Sequence, residues 1–180
     1  SFTASELKTK KPVVSMIPFK NLNSNEDSAF LIDGMLDMGE GAIPCFSDLN
    51  NDGLIDLLVG HRYRLNPDGQ QYARLALFTN IGTATAPVFE WTDDDFLNLS
   101  SLKLQNLHPT TGDLNNDGKI DLLLGELQGG TLVYIEQLNS GWASPVLNYK
   151  NIDAGRYSTP QLIDLDKDGK LDIVSGNRNG

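Results

Sequence analysis

Carboxylate and amide side chains recur in three short loops of the sequence, at a spacing suited to metal binding. Counted from its first Asp, each loop has Asp at position one, Asn or Asp at three, Asp at five, Gly at six and Asp at nine. Oxygen side chains at alternate positions of a tight turn point toward one centre, and Ca²⁺ takes about six to eight oxygen ligands. The pattern therefore predicts three calcium sites.

Each predicted site uses four side chains and the main-chain carbonyl of position seven. The three ligand sets are Asp48, Asn50, Asp52, Leu54 and Asp56; Asp113, Asn115, Asp117, Lys119 and Asp121; and Asp164, Asp166, Asp168, Lys170 and Asp172. Because position seven contributes only its carbonyl, its side chain is expected to vary freely. The Gly at position six falls where the loop must reverse sharply, a place for positive φ.

The residues after each loop exclude an EF-hand. An EF-hand needs an acidic residue at position twelve and a following helix, whereas position twelve here is Val59, Leu124 or Ser175. A short apolar run ending at Gly follows instead, which is typical of a β-strand. The alternative is ordinary turn chemistry, since Asp, Asn and Gly dominate tight turns. That alternative leaves the Asp at position nine, inside an apolar strand, without a metal or a partner.

The repeated unit resembles a known family. The segments Ser47–Gly60, Gly112–Gly125 and Ile163–Gly176 carry the loop and the apolar run, each with a Pro four residues before the first Asp. Together with F-T-N-I-G-T-A-T-A-P-V-F at Phe78–Phe89, they resemble the calcium-binding repeats of the FG-GAP/VCBS family, which form the blades of integrin-α-type β-propellers. The likeness covers the chain from about residue 42 onward. In the second repeat the counterpart of Phe78–Phe89 is Ile135–Leu147, which departs from that sequence and keeps only its general pattern.

The resemblance implies an all-β fold built of β-propeller blades. Each blade would have four antiparallel strands, with a calcium loop between strands one and two. Residues 42–106 are expected to form the first full repeat, 107–157 the second and 158–180 the first half of a third. Residues 1–41 are expected to be an N-terminal segment that contains the last strand of a preceding blade. Since a propeller closes with about four to eight blades, we expect a partial, open propeller cut from a longer chain.

Two of the expected strands depend on weaker patterns than the others. The segment P-V-V-S-M at residues 12–16 is predicted to be the last strand of the preceding blade, because it matches the start of strand four in the later repeats. Strand four itself is predicted at Pro87–Thr92 in the first repeat and at Pro145–Tyr149 in the second.

Charge and composition limit the partners and the location. The 180 residues have a formal net charge of −10, and the three loops alone hold ten aspartates. The acidity therefore belongs to the metal sites and argues against a nucleic acid partner. No apolar run approaches the length of a membrane span, so no membrane insertion is expected. Calcium loops of this kind work best at about millimolar calcium, which predicts an extracellular or cell-surface location.

Two classes of function are compatible with these features. The first is a non-catalytic extracellular module for cell adhesion or for binding a protein or carbohydrate ligand. The second is a propeller or accessory domain of a secreted polysaccharide-active enzyme. The sequence offers no nucleophile elbow, no His-based metal site and no paired acids outside the loops. We therefore favour the first class and predict no enzyme activity.

Loops that differ between the repeats indicate where a ligand would bind. If strands alternate in direction, the calcium loops lie on one face, and the hairpins between strands two and three lie on the other with the blade-to-blade connections. Binding residues are preferentially on variable loops carried by a rigid scaffold, and the resemblance to integrin-like propellers implies the same face. We expect Arg62, Tyr63, Arg64 and Trp91 near the ligand surface. The alternative is a solvated hairpin whose arginines pair with nearby acids.

Overall fold

The computed structural model describes residues 13–15, 38–127 and 129–179 of the chain. Within these ranges nearly all regular structure is β-strand, with two short 3-10 segments at Phe96–Leu102 and Tyr149–Asn151. The strands are β1 Val13–Ser15, β2 Ile43–Ser47, β3 Asp56–Gly60, β4 Arg64–Leu65, β5 Gln71–Tyr72, β6 Ala76–Asn80, β7 Val88–Asp93, β8 His108–Gly112, β9 Asp121–Gly125, β10 Leu132–Ile135, β11 Thr159–Ile163 and β12 Asp172–Gly176. No helix in the described part of the chain is long and apolar enough to cross a membrane.

The first blade contains the four antiparallel strands that the repeat predicts, in the order β2-β3-β6-β7. Outside β7 the sheet gains a fifth strand, β1, with Val14 opposite Phe89. The prediction that residues 12–16 form the last strand of a preceding blade is therefore wrong for its described part, Val13–Ser15. Without β1, the outer edge of β7 would present unpaired N–H and C=O groups, which are a template for one more strand.

The second blade has three regular strands, in the order β8-β9-β10. The fourth strand, predicted at Pro145–Tyr149, is reduced to one bridge in which Tyr134 and Val146 exchange main-chain hydrogen bonds of 3.0 and 2.8 Å. Pro145 has no N–H to donate to a ladder. Asn148 then adopts φ +56°, which turns the chain out of the extended conformation and into the second 3-10 segment.

The third repeat contributes a half blade, the antiparallel pair β11-β12. The first strands of the three repeats, β2, β8 and β11, lie side by side, as they would around a propeller axis. The main core fills the space between the first and second blades. Its largest fully buried side chains come from both of them: Leu58, Leu75, Leu99, Leu107, Leu122, Leu124, Val133 and Ile135.

Neighbouring blades interlock at the Gly that ends the first and the second motif. A methyl group added to Gly60 would lie 2.1 Å from the main-chain oxygen of Leu107 and 2.9 Å from Cδ of Pro109. At Gly125 the corresponding distances are 2.0 Å to the main-chain oxygen of Ser158 and 2.6 Å to Cδ of Pro160. The Gly at position thirteen thus leaves room for the next blade, whose first strand carries the Pro before the first Asp.

We expect Gly125→Ala to destabilise the protein by roughly 2–3 kcal/mol, because the added methyl group meets main-chain atoms that cannot move aside. For a chain of this size the melting temperature should fall by roughly 5–10 °C. Gly176→Ala is the matched control. It occupies the same motif position, but its added methyl group meets only the Thr159 hydroxyl, at 2.9 Å. Equal melting temperatures for the two variants would contradict the interlock.

Candidate metal centres

Main-chain N–H groups hold the acidic side chains on the inner side of each loop. In the first loop the Asp52 N–H donates to Asp48 Oδ1 at 3.1 Å and to Asn50 Oδ1 at 3.0 Å. The Gly53 N–H donates to Asp48 Oδ2 at 2.9 Å, and the Leu54 N–H donates to Asp52 Oδ1 at 2.7 Å. The oxygens of positions one, three and five are therefore gathered by the backbone of the loop itself.

The second and third loops repeat this arrangement. The N–H of Asp117 donates to positions one and three of its loop at 3.0 Å each, and the N–H of Asp168 does the same at 3.1 Å. Position four has left-handed backbone in every loop, with φ between +59° and +63°, and the Gly at position six has φ between +84° and +86°. The positive φ predicted for this Gly is found in all three loops.

The third loop brings three carboxylates together. Oxygen atoms of Asp164, Asp166 and Asp172, at positions one, three and nine, lie within 4.8 Å of one another. Three like charges at this spacing repel unless a cation lies between them. With Ca–O distances of about 2.3–2.6 Å, ligand oxygens on one ion can be up to about 5 Å apart. The donor set of the third loop therefore fits Ca²⁺.

Lysine at position seven modifies the second and third loops. The Lys119 ammonium lies 2.6 Å from Asp117 Oδ2, and this hydrogen bond lowers the pKa of the Asp117 carboxyl. The Lys170 ammonium lies 3.8 Å from Asp168 Oδ2. The side chain of position seven, expected to vary freely, thus lies beside the acid of position five. A metal at the second loop would compete with Lys119 for Asp117 Oδ2.

Position nine is the deepest part of the first loop. Asp56 is only 1% exposed. Its Oδ2 accepts the Leu49 N–H at 3.2 Å, and its Oδ1 accepts the Asn80 N–H at the end of β6 at 2.9 Å. Burial raises the pKa of the Asp56 carboxyl, and these two hydrogen bonds oppose the rise. The Asp56 carboxylate thus links the first loop to the third strand of its blade by hydrogen bonds.

The same residue in the second loop has more partners. Asp121 is 0% exposed and accepts the N–H groups of Leu114 and Gln137, each at 3.1 Å, and the Tyr134 hydroxyl at 2.9 Å. Burial and the hydrogen bond to Asp121 raise the pKa of that hydroxyl. In the third loop Asp172 is exposed, and the hydrogen bond that the structure gives it comes from the Leu165 N–H at 3.0 Å.

Sequence reasoning did not single out Asn80, Tyr134 or Gln137 as partners of the loops. Asn80 follows its position-nine Asp by 24 residues and Gln137 by 16. The inserted hairpin of the first repeat makes these separations unequal, so no common spacing marks the residues.

β3 starts at Asp56, next to the first loop, and ends at Gly60, at the other end of the blade. The hairpin that follows β3 therefore lies at the end of the blade opposite the loop. There Arg62 donates from Nη1 to Glu40 Oε1 and from Nη2 to the Tyr157 hydroxyl, both at 2.8 Å. The guanidinium groups of Arg62 and Arg178 lie 5.0 and 5.6 Å from the centre of the Tyr157 ring. The hydrogen bond from Arg62 lowers the pKa of the Tyr157 hydroxyl, and the nearby arginines add to the effect.

The other three predicted ligand-face residues are also engaged in contacts. Arg64 pairs with Asp94. The Tyr63 side chain hydrogen-bonds to Glu40, which raises the pKa of the Tyr63 hydroxyl. Trp91 stacks on Phe78, with ring centroids 5.9 Å apart. The arginines therefore pair with acids, as the solvated-hairpin alternative expects, and Arg62 also joins Tyr157, which the sequence did not indicate.

The repeats that carry these loops, strands and glycines are similar to repeats of known proteins. The family described as FG-GAP-like repeat matches residues 48–124 and 113–175. This chain belongs to the FG-GAP-like repeat family. The FG-GAP-like chain is also similar to integrin alpha-4 of Xenopus laevis, with 27% identity over 150 residues, covering 76% of this chain and 14% of the integrin. The chain thus spans about one seventh of that relative's length, and its fold is that of integrin-like β-propeller blades.

We expect Asp121→Asn to destabilise this FG-GAP-like chain by about 2 kcal/mol in calcium-free buffer. The Asn side chain cannot accept all three hydrogen bonds, so at least one buried donor loses its partner. Urea unfolding in the presence of EGTA measures the change.

Asp172→Asn is the matched control, since it removes the same motif carboxylate from an exposed site with one N–H partner. It should change stability by less than about 0.5 kcal/mol. Equal losses in the two variants would contradict the stabilising role of the three buried hydrogen bonds to Asp121.

Proposed function

We propose that this chain is a non-catalytic, extracellular β-propeller module that binds three Ca²⁺ ions on one face and a protein or glycan ligand on the other. The observation that carries the calcium proposal is the third loop, where Asp164, Asp166 and Asp172 bring carboxylate oxygens within 4.8 Å. The first two loops support it, because the same N–H groups orient their side chains.

The residues of each loop divide into two roles toward the metal. Positions one, three and five lie on the exposed rim, where the main-chain N–H groups hold them in place. Position nine comes from the first residue of a strand and, in the first two loops, approaches from the interior. The carbonyl of position seven is the fifth protein ligand, and water can supply the rest of the about six to eight oxygens. When bound, Ca²⁺ would neutralise carboxylates that otherwise repel one another.

Calcium should stabilise the fold. With calcium about tenfold above its Kd, each site adds roughly 1.4 kcal/mol to the free energy of unfolding. We therefore expect equilibrium dialysis to give close to three Ca²⁺ per chain, and EGTA to lower the melting temperature. Asp52→Ala or Asp117→Ala should each remove one equivalent and part of the response to EGTA.

Asp68→Ala provides the charge-matched control for these two variants. It removes one exposed carboxylate from the hairpin on the opposite face, where Asp68 pairs with Lys103, and should retain three equivalents. A stoichiometry near zero, or a melting curve that EGTA leaves unmoved, would overturn the calcium proposal.

The ligand face is inferred from the positive charge gathered around Tyr157. This residue has φ +59°, unusual for a bulky side chain, and strained residues of this kind cluster at ligand sites. Arg62 and Arg178 flank its ring, on a chain whose net charge is −10. Arg64, Tyr63 and Trp91 extend the proposed surface, as the sequence predicts.

The ligand-face proposal can be tested by applying the labelled full chain, in millimolar calcium, to arrays of extracellular proteins and glycans. For any ligand found, Arg62→Ala and Arg64→Ala should weaken binding by about tenfold or more, the size expected for a central interface residue. Thr85→Ala, at an exposed turn on the calcium-loop face, should leave the affinity unchanged. The reverse result would put the binding surface on the calcium-loop face.

A further inference from the structure

Gln137 connects the metal loops of two different blades. It follows β10 in the second blade and is 4% exposed. Its side-chain Nε2 donates to the main-chain oxygen of Leu49 at 2.8 Å, and its Oε1 accepts from Asn51 Nδ2 at 3.2 Å. Leu49 and Asn51 are positions two and four of the first loop. The main-chain N–H of Gln137 donates to Asp121 Oδ1, at position nine of the second loop, at 3.1 Å.

These contacts form a continuous path between the two position-nine carboxylates. Asp121 accepts the Gln137 N–H, the Gln137 side chain holds the Leu49 carbonyl, and the Leu49 N–H donates to Asp56 Oδ2 at 3.2 Å. All four residues of this path are buried. A continuous chain of hydrogen bonds therefore joins the two carboxylates.

Within the described residues, the corresponding residue of the first blade is held by its own blade. Asn80 is 3% exposed and donates its N–H to Asp56 Oδ1. Its side-chain Oδ1 accepts the N–H groups of Gly82 at 3.0 Å and Val88 at 3.1 Å, both within its own blade. Among the described residues, the link between blades is therefore made by the Gln137 side chain.

We propose that Gln137 is a positioning residue that couples the first and second metal sites, so that Ca²⁺ bound at one site raises the affinity of the other. This inference depends on the proposed calcium binding. A metal at the second loop fixes Asp121 and with it the Gln137 main chain. The Gln137 side chain then restrains Leu49 and Asn51, which lie between the ligands of the first loop. A loop that is already ordered loses less conformational entropy when its own metal binds.

The coupling must be reciprocal, because each site changes the affinity of the other by the same factor. Couplings between sites are typically about 5- to 150-fold in affinity. We expect about fivefold here, since the link consists of two side-chain hydrogen bonds.

The test isolates the first two sites in the full chain by adding Asp168→Ala to every protein. Calcium affinities are measured by calorimetry for the two-site protein, for the first site alone (with Asp117→Ala) and for the second site alone (with Asp52→Ala). The overall two-site constant should exceed the product of the single-site constants by about fivefold. With Gln137→Leu added to all three, this ratio should fall to one. The Gln137 N–H to Asp121 is retained, so the second site alone should keep its affinity.

An exposed pair of variants serves as the matched control, in case Gln137→Leu unfolds the protein. Asn51 and Asn116 both occupy position four, are exposed and have φ +59°. Of the two, Asn51 hydrogen-bonds to Gln137. Asn51→Gly should therefore lower the coupling ratio, and Asn116→Gly should leave it unchanged.

The outcomes separate this inference from the function on which it depends. If the two-site protein binds two Ca²⁺ with a ratio of one, the coupling is wrong and calcium binding stands. If neither site binds Ca²⁺, the proposed function is wrong and the coupling falls with it. If Asn51→Gly and Asn116→Gly change the ratio equally, Gln137 does not carry the coupling.

Discussion

The buried carboxylate at position nine is the constraint on which each full repeat depends. An ionised carboxylate inside a protein is costly unless hydrogen bonds or a cation compensate for lost water. Asp56 and Asp121 each accept one N–H from their own loop and one from the end of the third strand. Loop shape and strand pairing are therefore not independent: a loop that moves its carboxylate also disturbs the third strand of its blade.

A second constraint acts between blades and explains the motif residues that are not candidate metal ligands. The Gly at position thirteen lets the next blade's main chain approach, and the Pro before the first Asp of that blade packs against the same Gly. A chain of 180 residues must bury a core across several small sheets, and close packing is sensitive to a single methylene. The repeated motif and the Pro before it thus together specify a turn, a strand and the spacing to the neighbouring blade.

The sequence predicted the first two strands of each repeat well because the motif defines both ends of them. It also predicted the positive φ of the Gly at position six of each loop, whereas the metal-ligand role of the loop side chains stays a prediction. It did not predict the loss of the fourth strand in the second blade, because Pro145 and Asn148 act through hydrogen bonding and backbone conformation rather than through apolar pattern. It also missed the contacts of Arg62 with Tyr157, 95 residues away, and of Gln137 with Leu49, 88 residues away. Such pairs leave no local signal in one sequence.

The three loops share one conformation, but the carboxylate at position nine is buried only in the two repeats whose third strand covers it. All three loops have the same backbone conformation and the same N–H bonds to positions one and three. They differ at position nine, which is buried where β6 or β10 covers it and exposed at Asp172, where the described residues include no third strand. The loop conformation is thus local, whereas the burial of its position-nine carboxylate depends on the blade. Since burial strengthens the attraction between a carboxylate and a cation, the affinity of each loop for a metal should depend on the completeness of its blade.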